Sequence, residues 1–519
     1  MSDATRRDLF WLTRITAVIS VGALIFYYHQ GALLLYGDAV AHINIARRVF
    51  DSRTPSLLQL GTVWLPLPHL LDIPFIVNDH LWQTGLGASV PSMIAYVAGT
   101  LGVFRLVRSL ASRSAAWIAA LVYALNPNLV YMQATAMTES LYLACFVWTA
   151  VYFSEFVRDA RENAEQAGKS LKKCGLMVSA AMLVRYDGWF LAAVIAVVGL
   201  GVLWRRRLFT PVLRKAFTTF ILLTGLTGAL FLAYNFLVFG NALEFANGPN
   251  SAHAIQERSK TATMPTYPGE NTPRDATLQF LKTCKLNMAE GQYESWLFAV
   301  ALVALLAAVY FSRRYLVWTI LLAPVPFYIL CIAWGSVPIY QPHWWPFSYY
   351  NVRYGLQLLP AIAVFFALAC EFLTNFISST RVNLAAALLI TISYCPVWQN
   401  SPICLREAQV NGRERLAFEQ QLAAALKSLP KSATLMMDCS SHPGAMQMAG
   451  IHFRRILGES NYPAWQTALT RPGQSADYII AFPGDVVASA VNRFPQGLEP
   501  VATIGTPLQP KALIYRATH

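Results

Sequence analysis

Eleven apolar stretches, separated by short basic or longer polar segments, set the frame for this chain. They run roughly over 15–35, 88–108, 114–131, 137–156, 173–185, 189–204, 216–238, 295–311, 315–334, 355–376 and 382–397. A helix of about 20 apolar residues crosses the hydrocarbon core of a bilayer, and only helices or closed barrels satisfy their backbone there. The composition agrees: 55% of the 519 residues are hydrophobic and 13% charged, too apolar for a soluble enzyme. The expected fold is mainly α, a polytopic membrane helix bundle of about 11 spans.

The net charge of +13 would suggest nucleic acid in a soluble protein. No groove-reading motif accompanies it, so no nucleic-acid partner is expected. The basic residues instead follow the even-numbered runs: Arg105, Arg108 and Arg113; Arg158, Arg161, Lys169, Lys172 and Lys173; Arg205, Arg206, Arg207, Arg214 and Lys215; Arg313 and Arg314; Arg381. With Arg6, Arg7 and Arg14 they mark one side as cytoplasmic by the positive-inside bias. An odd number of crossings then puts the N terminus inside and the C-terminal tail outside, in an integral protein of a bacterial inner membrane. The first run is too long for a signal-peptide core and is read as a retained anchor. The run 173–185 is short. As one arm of a hairpin returning through 189–204, it would leave this parity unchanged.

The eight cysteines show no metal-ligand spacing. Cys145, Cys331 and Cys370 read as packing residues, while Cys395 and Cys404 are close enough in sequence for a disulfide on an oxidising side. The external loops are the long ones. In the first, Ala39 to Phe50 has the spacing of an amphipathic helix, with Val40, Ile43 and Val49 opposite His42, Arg47 and Arg48. The loop 239–294 reads as polar and rich in Pro and Gly. The loop 335–354 holds Tyr340, Trp344, Trp345, Tyr349 and Tyr350, which suit either an interfacial belt or a platform for sugar rings. After 397 the pattern changes to a helix, Glu407 to Leu429, and strands at 433–438, 478–482 and 512–515. The domain reading is therefore 1–397 transmembrane and catalytic, and 398–519 a small extracytoplasmic α/β domain.

Three charged residues fall on the external side of this topology. Asp38 follows the first run in Tyr36-Gly37-Asp38-Ala39. Glu139 opens the fourth, after the turn at Asn126-Pro127-Asn128. Arg353 precedes the tenth in Asn351-Val352-Arg353-Tyr354-Gly355. A carboxylate at the mouth of a span is costly unless it has a function. A carboxylate can take a proton from an acceptor hydroxyl, and a guanidinium can hold a phosphate through two parallel bonds. Asp38 also suits the N-cap of the segment that follows it, Glu139 a buried partner of Arg185 or Arg353, and Arg353 an interfacial anchor.

At this point the chain resembles the GT-C superfamily of integral-membrane glycosyltransferases, in particular the branch of protein O-mannosyltransferases and aminoarabinose transferases. Gly37-Asp38-Ala39 matches the acidic motif of the first external loop. Met137-Thr138-Glu139 matches an acidic residue beyond the third span. Arg353-Tyr354 followed by Leu356 to Pro360 matches an Arg-Tyr pair before a proline-containing late span. Weaker matches are Arg185-Tyr186-Asp187-Gly188-Trp189 and Phe239-Gly240-Asn241-Ala242-Leu243-Glu244-Phe245. The similarity covers roughly 10–397.

It implies a glycosyltransferase that moves a sugar from a polyprenyl-phosphate donor to a hydroxyl of a glycan, lipid or protein acceptor. Asp38 and Glu139 are the catalytic candidates. Arg353, Tyr354, His42, Arg185, Asp187 and His69 are the substrate-binding candidates. Arg185 and Asp187 also suit a pair across their own turn, and His69 an interfacial hydrogen bond. Many relatives carry two adjacent acids in the first loop, whereas here Ala39 follows Asp38; either Glu139 is the second acid, or His42 substitutes as a polar partner, or the pair is unnecessary. No acidic pair for a divalent metal is evident, so no metal or other cofactor is expected. The competing class is a membrane transporter or lipid flippase, which also carries intramembrane charges; no repeat between the two halves supports it.

Overall fold

The computed structural model describes residues 3–291, 295–311, 313–440 and 442–518. The side chains of Arg313 and Arg314, part of the expected cytoplasmic cluster, lie outside that description. The chain is mostly helical, with one small sheet near its C terminus. Eight of the eleven apolar runs coincide with stretches long and apolar enough to cross a membrane: Asp3–His29, Leu86–Arg108, Glu139–Asp159, Asp187–Arg205, Pro211–Phe239, Tyr315–Trp334, Val352–Leu373 and Ser379–Lys427. This is an integral membrane protein.

The other three runs are helical but shorter or more polar. The run 114–131 is broken into Arg113–Ala124 and Pro127–Met132. Pro127 cannot continue the first helix but suits the first turn of the second, where Asn126 Oδ1 caps the Leu129 amide at 3.0 Å. The run 173–185 is part of a longer helix, Ala164–Met182, which begins among basic residues. The run 295–311 forms Trp296–Phe311.

Several boundaries differ from the sequence reading. The first helix starts at Asp3 and stops at His29, not near 35, because the chain turns through Gly31 at φ +66°. It buries one stripe (Leu12, Thr16, Ser20, Ala23 and Tyr27) and leaves Phe10, Val18, Val21 and Phe26 exposed, as a lipid-facing helix should. The loop 239–294 is not irregular throughout. It contains Pro273–Leu286, whose Ala276, Phe280, Thr283 and Cys284 form a buried face at helical spacing.

The juxtamembrane helix is Gly37–Asp51, as the spacing predicts, but it does not lie in the interface. His42 and Arg47, expected on a polar outer face, are buried. Arg47 donates to Asp51 at 2.9 Å, to Asp79 at 2.6 Å and to the Ile76 carbonyl at 2.7 Å. It is thereby spoken for as a structural tie, and Arg48 pairs with Glu459 at 3.2 Å. All eight cysteines are free, so there is no Cys395–Cys404 disulfide; Cys404 is buried and Cys395 exposed.

The tail begins with the helix Ile403–Lys427 and continues into a five-stranded sheet: β1 Leu435–Met437, β2 Ile456–Leu457, β3 Tyr478–Ala481, β4 Leu498–Ile504 and β5 Ala512–Ala517. The order is β2-β1-β3-β5-β4. β1 runs parallel to β2 and β3, and β5 antiparallel to β3 and β4. The segments between β1 and β3 are held against the juxtamembrane helix by Asn44–Gln447 at 2.8 Å, Arg48–Glu459 and the His452–Asp51 contact at 2.8 Å.

Candidate active site

Arg353 sits where three parts of the chain meet. Asn351 takes a left-handed conformation (φ +57°) and donates to the Pro338 carbonyl at 2.9 Å, which turns the backbone inward. Residues Val352–Leu358 then form a tight 3₁₀ turn before the helix Leu359–Leu373. Gly355 allows this turn to lie on Pro273–Leu286: a Cβ there would stand 2.5 Å from the Thr283 carbonyl oxygen. Gly355→Ala is therefore expected to lower stability by about 1–3 kcal/mol, measured as a drop in melting temperature in detergent.

The guanidinium is enclosed by carboxylates. Nη2 donates to Asp38 Oδ2 at 2.7 Å and Nη1 to Glu407 Oε1 at 3.1 Å. Nε stands 3.2 Å from Glu139 Oε1, an ion pair without an aligned hydrogen bond. The Arg353 amide also donates to Glu407 Oε2 at 3.3 Å, and Tyr36 OH reaches the same oxygen at 3.0 Å. Exposure separates the three acids: Asp38 is 40% exposed, Glu139 0% and Glu407 1%. Of the three, only Asp38 meets solvent.

Arg185 extends the cluster. Its Nη1 donates to Glu139 Oε1 at 3.2 Å, and its Nη2 to Tyr328 OH at 3.0 Å. Tyr328 in turn donates to Asp187 Oδ2 at 2.6 Å. The Tyr354 ring lies between the two guanidinium groups, 5.1 Å from Arg353 and 5.0 Å from Arg185. Four carboxylates thus share two guanidinium charges, with Tyr354 as the spacer.

The structure brings together Asp38, Glu139, Arg353, Tyr354, Arg185 and Asp187. It does not use Asp38 as an N-cap; that helix has no side-chain cap, and Asp38 points to Arg353 instead. His42 and His69 pair with each other, Nδ1 to Nε2 at 2.8 Å, and not with the guanidinium. Both are buried, which does not match an interfacial hydrogen bond for His69, while His42 lies close enough to Asp38, Arg185 and Arg353 to feel their charges. Burial pushes the His42 imidazole down to about 4 and His69 well below its usual value.

That pair makes a pH prediction. The folded imidazole is depressed below the unfolded value of about 6.5, so its contribution is complete above that pH and is lost as pH falls toward 4. The melting temperature is expected to drop between pH 7 and 5, with His42 contributing about 3 kcal/mol of the penalty by pH 4 and His69 adding in the same direction. His42→Phe should flatten that slope.

Glu407 was missed by sequence reasoning. It lies one turn into the helix Ile403–Lys427 after the last apolar run, and a glutamate there carries no signal beyond helix propensity. Among the described residues, no group of three or more His, Cys, Asp or Glu side chains is placed to hold a metal ion.

With this arrangement in place, comparison with known proteins is informative. The crystal structure of ArnT from Cupriavidus metallidurans in the apo state matches with a TM-score of 0.57 over 96% of this chain and 97% of that one, at 11% identity. The chain has the GT-C fold. ArnT bound to undecaprenyl phosphate matches with a TM-score of 0.56, again at 11% identity and over 96% and 97% of the two chains. The Archaeoglobus fulgidus oligosaccharyltransferase in complex with Zn and sulfate gives a TM-score of 0.48 at 13% identity, over 91% and 68% of the chains. A family model described as dolichyl-phosphate-mannose-protein mannosyltransferase matches residues 81–239. No curated protein matches the chain by sequence. The family match covers the part of the GT-C fold that carries Glu139, Arg185 and Asp187.

Proposed function

We propose that this chain is a membrane glycosyltransferase that moves a sugar from a polyprenyl-phosphate donor to an acceptor hydroxyl at the extracytoplasmic face. The contact that carries the reading is Asp38 Oδ2 to Arg353 Nη2 at 2.7 Å, with Asp38 the exposed partner. The N terminus is then cytoplasmic, and residues 398–519 lie outside. The ArnT complex with undecaprenyl phosphate supports a lipid phosphate as the leaving group.

The geometry suggests an ordered exchange. Arg353 has no unpaired side for a phosphate, and Glu139 and Glu407 are buried. A donor phosphate arriving from the membrane side displaces Asp38 from Nη2, because Asp38 alone can move into solvent. The displaced carboxylate becomes the base beside the new ion pair. The acceptor hydroxyl gives its proton to Asp38 as its oxygen bonds to the anomeric carbon. The bond from that carbon to the phosphate oxygen breaks, and its electron pair leaves on the lipid phosphate facing Arg353. A single base and direct displacement give inversion. In this mechanism Arg353 supplies the charge that faces the leaving group, and no divalent metal is used.

The test is a proteoliposome assay of the full chain with radiolabelled polyprenyl-phosphate hexose, pentose and amino sugars. Acceptor-dependent release of polyprenyl phosphate supports the reading. Counterflow of substrate without any release would make the chain a transporter.

A further inference from the structure

A concave surface lies along the helix Pro273–Leu286. It is a cleft of about 570 Å³, lined by Trp344, Trp345, Glu270, Asp275, Gln279 and Tyr267 among others. Both tryptophans are exposed, at 36% and 50%. Their surroundings are fixed. Gln279 Oε1 accepts from the buried Gln341 Nε2 at 2.6 Å, and Tyr267 OH donates to the Ile332 carbonyl at 2.7 Å.

Two paths join this cleft to the arginine cluster. Along the helix, Phe280 follows Gln279 and stacks on Tyr328 with ring centres 4.8 Å apart; the Tyr328 hydroxyl bridges Arg185 and Asp187. Along the chain, Tyr340 and Tyr350 exchange backbone hydrogen bonds of 2.9 and 3.0 Å, which ties the tryptophan segment directly to the turn that carries Arg353.

A belt of interfacial aromatics would account for exposed tryptophans alone. It does not account for two carboxylates sharing their cleft, which disfavour anionic headgroups. A cationic peptide would need acceptors only. Here Glu270 already faces Lys260 at 3.8 Å, and Gln279 uses its oxygen on Gln341, leaving an amide donor. Aromatic faces together with mixed donors and acceptors match a sugar ring, with its C–H face and its ring of hydroxyls.

We propose that this cleft is a sugar-binding subsite that holds a neutral pyranose of a glycan acceptor, stacked on Trp344 or Trp345 and hydrogen-bonded by Asp275, Glu270 and Gln279. Its place as the acceptor subsite rests on the transferase reading; its binding of sugar does not. The test is saturation-transfer NMR of the full chain in detergent with mannotriose, maltotriose and chitotriose, and separately with a lysine-rich peptide. Trp345→Ala and Asp275→Asn change exposed residues and leave the buried packing intact. Each is expected to weaken oligosaccharide binding about tenfold, the order of one lost stacking or hydrogen-bonding contact.

The proposal fails if none of the three oligosaccharides receives saturation, if binding is unchanged in both variants, or if only the peptide binds. The two readings separate cleanly. A chain that binds oligosaccharide through Trp345 but transfers no sugar retires the transferase and keeps the subsite. A chain that transfers sugar with an acceptor KM unaltered by both Trp345→Ala and Asp275→Asn retires the cleft as acceptor subsite and keeps the transferase.

Discussion

Asp38→Asn is expected to lower sugar transfer by about 10²–10⁴-fold, the usual cost of removing a general base. The substitution isolates chemistry from folding. Asparagine keeps the size of the side chain, and its carbonyl oxygen still accepts from Arg353 Nη2, where Asp38 Oδ2 accepts at 2.7 Å. Because Asp38 is 40% exposed, the amide that replaces the second oxygen reaches water. The measurement pairs initial transfer rates in proteoliposomes with melting temperature. A loss of rate at unchanged melting temperature supports the role of base. Full activity removes Asp38 from the mechanism.

Arg353→Ala has the second large effect, and it falls on the fold as well. Glu139 and Glu407 are 0% and 1% exposed; the substitution leaves Glu407 facing a void without its cation, while Glu139 keeps Arg185 at 3.2 Å. Breaking a buried pair from one side costs about 3–5 kcal/mol. The variant is expected to lose both activity and yield of folded protein, read by size-exclusion profile and thermal unfolding in detergent. Arg353→Ala combined with Glu407→Gln should recover part of the stability and none of the transfer. A single Arg353→Ala chain as stable as the parent would mean that the buried acids are already neutral and that the guanidinium is not what holds them.

The grouping of Asp38, Glu139 and Arg353 was legible in the sequence because each stands at an end of an apolar run and the alternation of runs assigns those three ends to one face; Asp38 and Glu139 lie 2.7 and 3.2 Å from Arg353. The same reasoning could not see distances. His42 looked like a polar partner of Asp38 from its place one turn later, yet the helix rotates it onto His69. Arg47 looked like part of the polar outer face of its helix; it is instead buried and tied to Asp51 and Asp79. Glu407 was invisible because its partner lies 54 positions earlier, and no local pattern announces a contact of that range.

The strands β1, β3 and β5 follow their apolar runs. β4 escaped notice because Pro500 interrupts it next to a bulge, which an edge strand tolerates. The helix Pro273–Leu286 escaped for a related reason. Its buried face includes Gln279 and Thr283, polar residues that satisfy each other's surroundings within the fold and so mask the apolar period.

The grip of Glu407 on Arg353 also bears on how the molecule comes into being. Synthesis delivers Asp38, Glu139 and Arg353 well before residue 407 leaves the ribosome. Until then the arginine amide and one arm of its guanidinium lack their anchor. A nascent chain halted within the last apolar run therefore holds Asp38, Glu139 and Arg353 and still lacks the contacts that anchor the arginine from the far side.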